Sequence, residues 1–116
     1  MAQKHVLITL NNAPYGKIYH SEGLRAAVGV TSGIDEHTVD LVLLGDGVYF
    51  GLKDVSRADS AKYLGTLTKD GRHLKADAEA LHARGIKNEE LAPDVDPISR
   101  KDVLALIAKA DVTIDF

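Results

Sequence analysis

The sequence has no cysteine. That absence removes disulfides, thiolate chemistry and cysteine-ligated metal sites from consideration. Positive charge is not in excess either. The formal net charge is -3 and the pI about 5.9, so there is no basic footprint for nucleic acid or for an anionic membrane surface. No apolar run approaches the roughly 18 residues of a membrane-spanning helix. The opening MAQKHVLITL lacks a long apolar segment followed by a cleavage site, and a cytoplasmic protein is expected. Only three prolines occur, at positions 14, 93 and 97, and all three are expected in connections. Internal repeats and low-complexity tracts are absent. The five histidines, His5, His20, His37, His73 and His82, show no close ligand spacing, so neither a metal site nor a bound cofactor is expected.

What remains is the composition of an ordinary globular chain. Its 116 residues are 45% hydrophobic and 27% charged, which suits one domain over residues 1–116 burying roughly two-thirds of its unfolded surface. The stretch VDLVLLGDGVYFGLKDV, residues 39–55, organises the rest. Between Val39 and Leu44 only Asp40 is polar, which marks a strand covered on both faces, as in parallel sheets. The run then meets Gly45, Asp46 and Gly47 and turns aromatic at Tyr49 and Phe50. Ligands of open α/β sheets lie beyond the carboxyl ends of the strands, so the loop 45–54 is the first place to look for a site.

Elements of alternating type surround this strand. His5 to Leu10 is a short β-rich segment that breaks at NNAPYG, a cluster of turn residues. Lys17 to about Thr31 sets Ile18, Leu24, Ala27 and Val28 at helical spacing, weakened by Gly23 and Gly29, whose absent side chains suggest close packing on a sheet. Ser56 and Asp59 resemble a capping box before a second helix carrying Ala61, Leu64 and Leu67, ended by Gly71. His73 to Asp77 is a short strand, and Asp77 opens a third helix ended by Gly85 at a C′-like position. A short fourth strand is expected around residues 92–95. Ser99 with Asp102 is the strongest capping signature, supported by Ile98 and Val103 as a hydrophobic staple. The terminal DVTIDF alternates as a last strand. Right-handed crossovers then give a three-layer α/β/α sandwich with a five-stranded parallel sheet, expected in the order 2-1-3-4-5.

Two familiar uses of such a fold do not fit. A response-regulator site needs carboxylates at the end of the first strand for a hard cation, and Asn11 and Asn12 stand there. A flavodoxin-type phosphate loop needs hydroxyl donors that NNAPYGK lacks, although the helix N-terminus that follows still favours an anion. The order and spacing of NNAPYG, GDGVY, an alanine-rich helix ended by ARGI, DPISRKDVLALIAKAD and VTIDF resemble the DsrE/DsrF-like (TusBCD) sulfur-relay family over nearly the whole chain. The resemblance implies the same five-stranded fold and a trimeric or hexameric assembly. It also implies, in members that carry sulfur, a cysteine at the entry to the third helix, held as a persulfide and passed to a partner. In HLKADAEALHARGI that position falls on Asp77.

Two roles are open to Asp77, a helix N-cap or the acid or base of a ligand site. Asp46 reads as a turn residue or a pocket wall, and Tyr15 and Tyr49 as interface or ligand-wall aromatics. Lys53 and Asp54 suit a solvated loop, and the dipole of the third helix accounts for Arg84 at its C-terminus. Two functional classes follow. One is a non-catalytic scaffold or partner-binding subunit related to sulfur relay, a homo-oligomer or an assembly with a paralogous relay protein. The other is an enzyme or small-ligand binder using a strand-end pocket of Asn11, Asn12, Tyr15, Asp46, Tyr49 and Asp77. A chain without cysteine favours the first.

Overall fold

The computed structural model describes residues 4–14, 18–31, 37–57, 60–68 and 72–116. Five strands, β1 His5–Leu10, β2 Thr38–Leu43, β3 Leu74–Asp77, β4 Val95–Ile98 and β5 Val112–Asp115, form one sheet in which every neighbouring pair is parallel. Four helices connect them: α1 Tyr19–Val30, α2 Ala61–Leu67, α3 Ala78–Ala83 and α4 Arg100–Lys109. The α/β class and the five-stranded parallel sheet are as expected. The strand order is not 2-1-3-4-5 but 4-3-2-1-5.

The reason lies in the crossovers. From β1 to β4 the chain steps across the sheet in one direction, so right-handed connections place α1, α2 and α3 on the same face. Leu24 and Ala27 of α1, Leu64 and Leu67 of α2, and Ala80 and Leu81 of α3 accordingly share one buried cluster with Val6, Ile8, Leu10, Leu41 and Leu43. The last crossover runs back over β3, β2 and β1, which puts α4 on the opposite face and β5 beyond β1. There Val103 packs on Leu7 and Val42, with Ile98 and Leu106 around them. The expected order would instead have left α1 alone on its face.

Local chemistry sets the element ends. The Asp102 amide donates to the Ser99 hydroxyl at 3.1 Å, which starts α4 where the capping signature placed it. At the end of α3, Gly85 takes φ +68, its amide reaching His82 O and that of Ile86 reaching Leu81 O, the paired bonds of a Schellman close. The start of α2 is Ser60 rather than Ser56, and Asp59 and Gly71 lie outside the described residues. β4 begins three residues later than expected and contains Pro97. An edge strand accommodates that proline because one side of it needs no amide donor. In α1 the buried face is His20, Gly23, Leu24 and Ala27, while Ile18 precedes the helix and is 71% exposed.

Candidate functional site

The carboxyl ends of the strands gather most of the chemistry-bearing side chains. Beyond β2 the chain does not loop out but winds through a 3-10 segment, Gly45–Gly51, laid against the end of β1. Leu44 N donates to Leu10 O at 2.9 Å, and a side chain at Gly47 would press on the Leu10 carbonyl, so only glycine permits this approach. Val48 and Phe50 turn into the core as a result. Of the two aromatic residues of this segment only Tyr49, 37% exposed, faces outward.

Asp46 is exposed and accepts from Arg84 Nε at 3.1 Å and Nη2 at 2.9 Å. The same guanidinium lies 6.0 Å from the Tyr49 ring centroid and donates to Ala80 O at 3.1 Å. Arg84 thus does more than answer the dipole of α3: it ties the end of that helix to the 3-10 segment. Asn11 is anchored elsewhere, its amide donating to Thr9 Oγ1 at 3.1 Å and Phe116 O at 3.4 Å. Asn12 is half-buried next to it, and Tyr15 lies outside the described residues.

Asp77 closes β3 and has no exposed surface. It is the N-cap of α3, accepting from the Glu79 amide at 3.4 Å through Oδ1. Its Oδ2 accepts from Arg100 Nε at 3.0 Å and more closely from Nη2, and Glu79 Oε2 stands 3.3 Å from the same Nε. The bond to Asp77 raises the pKa of Arg100 above its ordinary value. Register explains the meeting: Asp77 is paired with Ile98, two residues before Arg100, so the first turn of α4 is delivered over the carboxylate. The candidates among the described residues are therefore held in separate groups. Asp46 and Tyr49 share Arg84, Asn11 belongs to the β1–β5 end, and Asp77 is enclosed by Arg100. Sequence spacing marked Asp77 through its capping pattern, but Arg100, 23 residues later, carried no such signal.

The matching family model covers residues 4–116 and describes a DsrE/DsrF-like family. The chain belongs to the DsrE/DsrF-like family. This DsrE/DsrF-like chain is 28% identical over 112 residues to the uncharacterized protein MJ0989 of Methanocaldococcus jannaschii, covering 94% of this chain and 96% of that one. Uncharacterized protein MK0008 of Methanopyrus kandleri is 26% identical over 114 residues, with 96% and 93% covered. Among solved structures, the ychN protein of E. coli superposes with a TM-score of 0.81 at 24% identity, covering 99% of this chain and all of its own, 100%. MTH1491 of Methanobacterium thermoautotrophicum gives 0.79 at 15% identity, over 98% and 100% of the two chains. At those identities the two structures establish the DsrE-like fold of the chain and nothing about its chemistry.

Proposed function

We propose that this DsrE/DsrF-like protein is a partner-binding subunit related to intracellular sulfur relay that does not itself carry sulfur. One observation carries the reading: the position where the resemblance sets a sulfur-bearing cysteine holds Asp77, fully buried with both oxygens bonded. A carboxylate forms no persulfide. With Oδ1 on the α3 amide and Oδ2 on Arg100, Asp77 serves the fold. The working unit in this reading is a cytoplasmic homotrimer or hexamer, or a mixed assembly with a cysteine-bearing family member. A ligand-binding or enzymatic role for Asn11, Asn12, Asp46 and Tyr49 has weaker support, because Asp46 is already neutralised by Arg84.

The test is mass spectrometry after incubation with a sulfane-sulfur donor. Wild-type protein should gain nothing, whereas Asp77→Cys should gain about 32 Da, one sulfur atom on a thiolate favoured by Arg100 and the helix amides. An Asp77→Cys thiol that reacts no faster than an exposed control such as Thr66→Cys would remove the position from the sulfur site. Co-expression with a cysteine-bearing family member of the same genome, read by native mass spectrometry, should give mixed oligomers; exclusive self-association would leave the partner reading without support.

A further inference from the structure

His20 is the one buried side chain among the described residues whose polar atoms have no partner. It sits in the first turn of α1, 2% exposed, and neither Nδ1 nor Nε2 makes a hydrogen bond. Its ring stacks on Phe50 with centroids 4.0 Å apart at 60°. Burial, helped by the nearby Arg57 charge, lowers its pKa to about 4. A neutral imidazole has one N–H to donate and one lone pair to satisfy, and leaving both unmet in the interior is unfavourable. Orphaned buried polar groups of this kind signal something that occupies the space beside them.

That space exists. A cavity of about 60 Å³ is lined by His20, Ser21, Phe50, Ser56, Arg57 and Ser60. One water needs about 10–15 Å³ on such a measure, so the cavity has room for several waters or for one ligand of a few heavy atoms. Its lining is rich in donors. Arg57 is fixed in place before any ligand arrives, since Nη1 bonds both oxygens of Asp94 at 2.8 and 2.9 Å and Nε and Nη2 reach Phe50 O. Ser60 is buried at the N-cap position of α2, yet its hydroxyl does not cap the helix. Ile18 at the start of the 12-residue α1 provides no side-chain cap either.

We propose that this cavity is a binding site for a small hydrogen-bonding oxyanion of the size of phosphate or carbonate, held by His20 and the Ser21 hydroxyl in the first turn of α1, by Arg57, and by the Ser60 hydroxyl at the N-cap of α2. The hydroxyl donors missing from NNAPYGK are supplied here by α1 and by the segment entering α2. An anion beside the ring favours the imidazolium, so it enters with a proton on His20, and both ring nitrogens then donate. This site is independent of Asp77, whose partners Glu79 and Arg100 do not line the cavity.

The experiment uses 15N-labelled protein titrated with inorganic phosphate, with sodium chloride at matched ionic strength as control, following the His20 ring nitrogens by long-range 1H–15N NMR. In chloride they should show the neutral pattern, and phosphate should move them toward the imidazolium pattern with saturation. Ser60→Ala, which removes a donor without removing a cap, should weaken phosphate by about tenfold in calorimetry. His20→Phe should fold, judged by far-UV circular dichroism, and lose phosphate binding. His20 resonances that ignore phosphate, or that respond equally to chloride, would overturn the proposal and assign the cavity to ordered water alone. Unchanged phosphate affinity in both variants would do the same.

Discussion

Removing either member of the Asp77–Arg100 pair leaves a different problem behind. Arg100 is half exposed, so it returns to water when Asp77 is neutralised. Asp77 is fully enclosed, and without Arg100 its charge is left in the interior. Arg100→Ala should therefore lower the urea midpoint more than Asp77→Asn, which keeps a good N-cap residue. Equal midpoints at neutral pH would refute the asymmetry. His20 gives a second pH signature. Unfolded, it binds a proton below about 6.5, but folded only below about 4. The unfolded state then holds more protons between those values, and about 3 kcal/mol of stability should be lost as pH falls through that window. Among the described residues the charge acting on the ring is that of Arg57, itself paired with Asp94, while Glu22 and Arg25 of α1 pair with each other. His20→Phe should flatten the loss when chemical denaturation is repeated from pH 7 to 4. Asp40 acts lower. Burial works to raise its pKa, but bonds from Lys75 and His5 prevail and hold it below the usual carboxylate value, so its contribution is lost only in stronger acid. Of these residues only Asp77 was legible in the sequence. The spacing 20, 24, 27 lies on one helical face and would have set His20 among the apolar positions, had Ile18 not been taken as the start of that face.

At the scale of elements, glycines that look alike in sequence have opposite roles. Gly23 is packed so that a methyl group would meet the Leu10 side chain and Phe116, whereas Gly29, two turns along α1, has open space around its Cβ direction. Gly29→Ala and Gly65→Ala should each stabilise by about 0.5–1 kcal/mol, the helical preference for alanine. Gly47→Ala should instead destabilise by about 3 kcal/mol or more, since a backbone carbonyl cannot move aside as a side chain can. Thermal melts of the three variants check the set, and a stable Gly47→Ala would contradict the close approach of the 3-10 segment to β1. Element identity was readable because capping and periodicity are local: Ser99, Asp102 and Gly85 all act within one turn of their own helices. The site of β4 was not, because the VDPI segment alternates poorly and gains strand geometry only by pairing with β3.

For the whole molecule, α4 is the lone helix on its face among the described residues, and Leu104 and Ile107 on it are 58% and 41% exposed. They are three residues apart, neighbours on the helix surface, and form an exposed apolar surface. A trimer or hexamer should be seen by multi-angle light scattering, and Leu104→Glu with Ile107→Lys should shift it to monomer with the helical signal intact. A wild-type monomer at micromolar concentration would dismiss the assembly. Strand order was beyond sequence reading for a related reason. Which face a crossover helix takes depends on what is already covered, and no residue in α4 states that locally.

The seat of β5 beside β1 has a consequence for how the chain acquires its shape during synthesis. Asp111 N reaches His5 O, Asn11 N reaches Phe116 O, and Thr9 meets Asp115, all across about a hundred residues of intervening chain. While the polypeptide leaves the ribosome, β1 to β4 can assemble in order on the α1–α3 face. One border of β1 nevertheless stays unpaired until β5 emerges. Such a border, with Val6 and Ile8 on its apolar side, is a template for a second nascent chain. Contact order here is concentrated in a single late step, and chaperone dependence or aggregation in a β5-deleted chain is where it should be felt.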